Sequence, residues 1–341
     1  MKISTFDYRL PPELIAQKPT SPRDSSRLLV VDKATETTEH RRFSDLLEYL
    51  KAGDCLVMNE TRVIPARLIG RKKHSHGQVE VFLLRQVDHA AWEALVKPSR
   101  RLKEGAVVEF DGSDVTATIG KTLEDGKRLV GFDYEGSFKK VLEKLGRVPL
   151  PPYIKQPLDD PERYQTVYAK NSGSVAAPTA GLHFTSRMLE KLRLKGIESV
   201  KVTLDVGLGT FRPVQAEDVE SHKMEHERFF ISEETATAVN MAKHEGRRVI
   251  AVGTTSVRVL ESAVRDDGQV EPCDSETGLF IYPGYRFKVV DCLLTNFHLP
   301  RSSLLLLVCA FAGTELIMDA YKQAIQERYK FYSFGDAMFI W

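Results

Sequence analysis

The chain has 341 residues, 48 of them Lys or Arg and 47 Asp or Glu, for a formal net charge of +1. That length supports a large core and two domains. The balanced charge excludes a generally basic, histone-like nucleic-acid binder and leaves room for a nucleic-acid enzyme with a local basic face. Cys55, Cys273, Cys292 and Cys309 form no CxxC pair. Neither a zinc site nor a disulfide framework is indicated, and a reduced, cytoplasmic protein is expected. The opening MKISTFDYRLPPEL lacks the apolar core of a secretion signal. The longest apolar run, 304–312, falls short of the roughly 20 residues that a membrane span needs, so no membrane partner is expected.

In chain order, Arg27–Asp32 (RLLVVD) predicts a strand, Ser44 caps a helix over 44–50, and Cys55–Asn59 predicts an apolar strand. The character then changes. Six short β-like runs follow at 66–72, 78–85, 92–97, 106–110, 115–121 and 128–134, most of them separated by glycine turns. Such spacing predicts a small all-β barrel. A helix over Phe138–Leu145 ends at Gly146, and Pro149, Pro151 and Pro152 mark a linker. Beyond it, helices are predicted at 186–195, 232–245, 256–264, 302–312 and 314–329. Strands are predicted at 200–206, Val249–Val252, 279–282 and Cys292–Asn296. The expected fold is mixed α/β. An α/β catalytic domain is built from both chain ends (1–62 and 150–341), and an all-β barrel domain (63–149) is inserted.

The window 174–185, SVAAPTAGLHFT, is too rich in Ala, Gly and Pro for regular structure, yet almost uncharged. Small residues such as Thr179 and Gly181 let backbone N–H groups approach a ligand, and His183 can exchange a proton near neutral pH. A tight buried connection would use the same residues. Four other segments join a strand to a sharp turn and polar groups: NETRVIPAR (59–67), DVGLGTFRPV (205–214), AVGTTSVR (251–258) and TNFHLPRSS (295–303). Ligands of open α/β sheets bind beyond the carboxyl ends of strands. Gly253, Thr254 and Thr255 either open a helix whose free N–H groups hold an anion together with Arg258, or simply cap it. His298, beside Asn296, is an acid/base partner for His183. Asp205, Gly207, Gly209 and Thr210 contain a G-x-G, but no helix follows, which excludes a dinucleotide loop. HKMEH (222–226) has the H-x-x-E-H spacing of a zinc hydrolase, but its flanks do not read as a long helix. Basic turns Arg71-Lys72-Lys73 and Arg100-Arg101-x-Lys103 are either solvated surface or a phosphate-tracking patch, with Arg62 nearer the loops. The alternatives left open are that zinc hydrolase and a non-catalytic RNA-binding barrel protein.

NETRVIPARL, WEALVKPSRRLKEG, PLPPYI, YQTVYAKNSGSVAAPTAGLHFT, VGLGTFRPV, VGTTSVR, IYPGY, TNFHLPRSSLLLLV and FGDAMFI run in order along nearly the whole chain. Together they resemble the S-adenosylmethionine:tRNA ribosyltransferase-isomerase family of queuosine biosynthesis. The resemblance implies transfer and isomerisation of the ribosyl group of S-adenosylmethionine onto a 7-aminomethyl-7-deazaguanine at the tRNA wobble position, giving epoxyqueuosine with loss of adenine and methionine. It implies tRNA, met at its anticodon region, and S-adenosylmethionine as partners, with no metal. A monomer is expected. His183, His298 and Asp205 are then the expected catalytic groups, sharing one glycine-lined pocket. Two positions depart from the family pattern, which carries His where this chain has Asp205 and Glu225.

Overall fold

Four strands, three of them apolar runs, set the architecture. Glu198–Leu204, Cys55–Asn59, Val249–Val252 and Cys292–Asn296 lie side by side and parallel, with Cys55 opposite both Glu198 and Val249, and Ile250 opposite Cys292. Strands covered on both faces read as continuous apolar runs, and Cys55–Asn59, Val249–Val252 and Cys292–Asn296 are buried throughout. The computed structural model describes residues 1–207, 209 and 213–341. In it these strands form the centre of a nine-stranded sheet. Ala337–Ile340 runs antiparallel beside Cys292–Asn296, Arg27–Asp32 pairs parallel with Ala337–Ile340, and Thr37–Arg42 forms that edge. The other edge is Glu227–Ile231 followed by Cys273–Thr277. Leu204, Asn59, Val252 and Asn296 therefore end on one side of the sheet.

The chain divides into two compact units, Met1–Arg62 with Pro151–Trp341, and Val63–Leu150. In the second, strands Arg67–Lys72, Gln78–Gln86, Ala91–Lys97, Arg128–Asp133, Thr116–Thr122 and Val107–Glu109 pair in that order. Pairing of Arg71 with Glu109 and of Lys72 with Val108 closes the six into a barrel, leaving no open edge to pair with another chain. Among the described residues no single helix is long and apolar enough to cross a membrane.

Two expectations are corrected. Residues 279–282 form no strand. They are an apolar loop packed on the core, and the strand nearby is the polar edge Cys273–Thr277. The helix predicted from Ser256 starts at Gly253, whose φ of +86° suits glycine alone. Thr254 and Thr255 thus lie inside its first turn and cap nothing. HKMEH is not helical: a short 3-10 turn, Val219–Ser221, precedes it and the strand Glu227–Ile231 follows. Its two histidines share no helix face, and among the described residues no group of three His, Cys, Asp or Glu side chains is arranged to hold a metal.

Arg258 is the third correction. It lies mid-helix and 4% exposed, ion-paired with buried Glu227, and donates to the carbonyls of Leu279 (3.2 Å) and Thr277 (3.3 Å). Glu227 also accepts from the Gly207 N–H at 2.7 Å. The guanidinium is therefore spent on tying helix, edge strands and the Gly207 loop together, rather than on a substrate anion. Removing one partner of a buried pair leaves an uncompensated charge, at a cost of about 3–5 kcal/mol. Arg258→Ala should show that loss in urea unfolding, and replacing both Arg258 and Glu227 by Met should recover most of it. Wild-type stability in the single variant would contradict this role.

Candidate active site

The carboxyl end of Cys292–Asn296 delivers the first groups. His298 follows it, 8% exposed, with its backbone held from two sides: its N–H donates to the Tyr321 hydroxyl (2.9 Å), and the Tyr8 hydroxyl donates to its carbonyl. Its ring Nε2 lies 2.7 Å from Thr295 Oγ1. No hydrogen bond engages Nδ1 among the described residues, so one ring nitrogen remains free for chemistry.

His183 ends the 3-10 helix Thr179–His183, which Pro178 starts. A Cβ on Gly181 would stand 2.0 Å from the Tyr168 hydroxyl, so this turn closes only with glycine there. The His183 ring stacks on Phe43, centroids 4.9 Å apart. Its Nδ1 meets Ser26 Oγ at 2.8 Å and its Nε2 meets Asn296 Nδ2 at 3.1 Å. An amide nitrogen only donates, so Nε2 accepts and Nδ1 carries the proton, donating to Ser26. Asn296 Nδ2 also faces the carbonyls of Tyr332 (3.3 Å) and Asp336 (3.5 Å).

Burial pushes the pKa of both rings down to about 3, helped at His183 by the Arg23 charge. Both are therefore neutral at physiological pH. Burial raises the pKa of Asp336, whose carboxylate accepts from the N–H groups of Arg27 (2.8 Å) and Lys330 (2.7 Å).

An open cleft of about 530 Å³ lies at this sheet edge, lined by Thr179, Gly253, Thr254, Thr255, Asn296, His298 and Tyr332, among others. Among the described residues, two that line the cleft carry buried polar atoms with no partner, Thr255 Oγ1 and Asn296 Oδ1. Unpaired buried groups are costly and uncommon, and here they offer a bound ligand a donor and acceptors. Tyr332 has φ +72°, a strained value for a bulky residue. Its N–H donates to the Phe297 carbonyl (3.1 Å) and its own carbonyl accepts from Gly335 (3.0 Å), which holds it there.

The expectation of two imidazoles facing one pocket is corrected. His298 lines the cleft, whereas His183 lines a smaller cavity and meets the cleft wall at Asn296. Among the described residues Val206 lines the cleft, but Asp205, Gly207, Gly209 and Gly181 do not. Asp205 accepts from Thr61 Oγ1 (2.9 Å), and burial raises its pKa. Thr210 lies outside the described residues. Sequence reasoning missed Ser26, Tyr153, Tyr332, Ser333 and Asp336, which reach the site from the amino end, the segment after the barrel and the carboxyl end of the chain. Of these, Tyr153 lies in PLPPYI and Asp336 in FGDAMFI.

The basic turns lie on the barrel unit. Arg71 pairs with Asp111 (3.2 Å), Lys73 with Glu109 (3.7 Å), and Lys72 donates to the Arg101 carbonyl (3.4 Å). Arg100, Arg101 and Lys103 are exposed, and among the described residues none of the three forms an ion pair. Arg62, in the other unit, pairs with Glu162.

The neutral rings make acid stability a test of the site. An unfolded imidazole titrates near 6.5, and both folded values are depressed to about 3. Their contribution is complete above pH 6.5 and is lost as pH falls from there toward 3, by about 1.4 kcal/mol per pH unit for each ring. Asp205 and Asp336, with raised values, act in the opposite sense as they take up protons. The informative quantity is thus a difference. Between about pH 7 and pH 5, His298→Gln should lose stability less steeply than the wild type in urea titrations. Equal slopes would show that His298 does not stay neutral.

The model of the queuosine biosynthesis protein family matches residues 3–340. An S-adenosylmethionine:tRNA ribosyltransferase-isomerase of Symbiobacterium thermophilum is 55% identical over 341 residues, covering 100% of both chains. One of Natranaerobius thermophilus is also 55% identical, over 100% of this chain and 99% of its own. The crystal structure of an S-adenosylmethionine tRNA ribosyltransferase from Thermotoga maritima matches with a TM-score of 0.59 and 39% identity, over 99% of this chain and 100% of that one. Likeness of this identity over the full length, on the same fold, means that the chain belongs to the queuosine biosynthesis protein family.

Proposed function

We propose that this chain transfers the ribosyl group of S-adenosylmethionine to a 7-aminomethyl-7-deazaguanine at the wobble position of tRNA and isomerises it, giving epoxyqueuosine and releasing adenine and methionine. The observation that carries the reading is the cleft at the carboxyl ends of the parallel strands. It holds one neutral imidazole with a free nitrogen and two unpaired polar atoms. A sulfonium acidifies the neighbouring C5′ protons, so a neutral base can begin the reaction. Adenine leaves more readily when a donor supports it, and the attacking amine must be uncharged. A water-poor site protects the sugar intermediates.

The division of labour follows from hydrogen bonding. His298 Nδ1 is uncommitted, so His298 is the proton-exchanging residue. Both nitrogens of His183 are engaged, so it is a positioning residue that fixes the Asn296 amide and leaves Asn296 Oδ1 to the ligand. Gly253, Thr254, Thr255 and Thr179 supply backbone and hydroxyl contacts. Asp205 does not line the cleft, and no step is assigned to it. The target base lies in the anticodon region, so that part of the tRNA must reach the cleft. We read the enzyme as a cytoplasmic monomer.

The direct test is incubation with S-adenosylmethionine and tRNA carrying the aminomethyl precursor, following adenine release. His298→Ala should lower kcat by about 10²–10⁴-fold while melting close to the wild type. Near-normal turnover would remove it from the mechanism.

On the barrel, the unpaired turn is the better phosphate contact, because the other is already offset by Asp111 and Glu109. Converting Arg100, Arg101 and Lys103 to Ala should weaken tRNA binding and shallow its salt dependence by roughly one unit per lost contact. The matching change at Arg71 and Lys73 should do less. An unaltered slope in the triple variant would place the tRNA elsewhere.

A further inference from the structure

A second cavity, of about 260 Å³, is lined by Arg23, His183, Thr20 and Ser333, among others; Ser333 also lines the main cleft. Arg23 donates to the carbonyls of Leu182 (3.2 Å) and Glu162 (3.0 Å), and Arg163 donates to that of Thr20 (2.7 Å). Among the described residues neither guanidinium forms an ion pair. The carboxylates nearest Arg23 are committed elsewhere: Asp160 accepts from the Glu162 N–H at 2.9 Å, and Glu162 pairs with Arg62. A guanidinium has five donor hydrogens. Arg23 engages only part of its set, and Arg163 has a buried Nε with no partner. Arg163 meets the cavity wall at Thr20 and its charge acts on Arg23; two like charges gain nothing from carbonyls alone, but a planar oxyanion between them would satisfy both forks.

We infer that Arg23 and Arg163 form an oxyanion subsite beside His183, which takes either the methionine carboxylate of S-adenosylmethionine or a tRNA phosphate. The inference rests on the functional reading above and assigns the charged end of one of its substrates. Burial and the Arg163 charge both lower the Arg23 pKa, as expected of a cation awaiting a counter-ion.

The full-length wild type is compared with Arg23→Gln, Arg163→Gln and the double variant by equilibrium binding. If the ligand is the carboxylate, Kd for S-adenosylmethionine and for methionine should rise tenfold or more in the double variant. Decarboxylated S-adenosylmethionine should then bind wild type and variant alike. If it is a phosphate, those constants should hold, and tRNA binding should lose about one unit of salt slope per arginine. Arg23 also tethers the His183 turn through Leu182. A purely structural role would lower kcat and melting temperature and leave every Kd unchanged, which overturns the proposal. Arg163→Gln, which gives up a single carbonyl contact, carries the test if Arg23→Gln fails to fold. Should the wild type bind neither substrate, the functional reading falls. Inorganic phosphate then decides the subsite: a tenfold higher Kd in the double variant keeps it, and an unchanged Kd overturns it.

Discussion

One side-chain amide holds the site together. Asn296 Nδ2 faces His183 Nε2 and the carbonyls of Tyr332 and Asp336, so three stretches far apart in sequence meet on a single nitrogen. The sheet makes this possible, because Asn296 is the last residue of a strand buried throughout and stands two positions beyond Leu294, the partner of Val252. Without the amide, the His183 Nε2 lone pair would lose its donor, whereas the Tyr332 carbonyl would keep the Gly335 N–H. An acceptor stranded in a buried site costs about 1–3 kcal/mol. The same amide leaves its own oxygen unpaired, so the group that organises the wall also presents an acceptor from it.

Charge is kept out of the cleft and spent elsewhere. Both imidazoles are neutral because burial disfavours their cations. The fully buried ion pair, Arg258 with Glu227, fastens the helix Gly253–Ala263 to the sheet instead of meeting ligand. This arrangement suits a sulfonium substrate: a cationic imidazole would repel it, whereas a neutral ring and unpaired oxygens would not.

Much of the architecture was legible because the physics was local. Parallel strands announced themselves as apolar runs, and the barrel as short alternating runs between glycine turns. Edge strands were less legible. Cys273–Thr277 is polar because one side of it is wet, whereas 279–282 is apolar yet irregular, so hydrophobicity pointed to the wrong segment. Arg258 misled for a geometric reason. A Gly-Thr-Thr sequence after a strand suggests an anion site, but Arg258 stands beyond the first helical turn, where free N–H groups end. The histidines were visible as residues. Their unequal standing was not, since it depends on Ser26, Thr295 and Asn296 completing or sparing each ring nitrogen.

Arg27–Asp32 gains its parallel neighbour only from Ala337–Ile340, and the Arg27 N–H reaches Asp336 across 309 positions. This separation bears on how the protein is born. Domains tend to fold as the ribosome releases them, amino end first. The barrel is continuous in sequence and can close during elongation. The sheet that carries Asn296 cannot, because Arg27–Asp32 must wait for nearly all the rest to emerge. Until then Arg27–Asp32 pairs only with Thr37–Arg42 and lacks its neighbour on the other side. A nascent chain stalled before residue 337 therefore carries one apolar strand with an open edge, a natural client for chaperones.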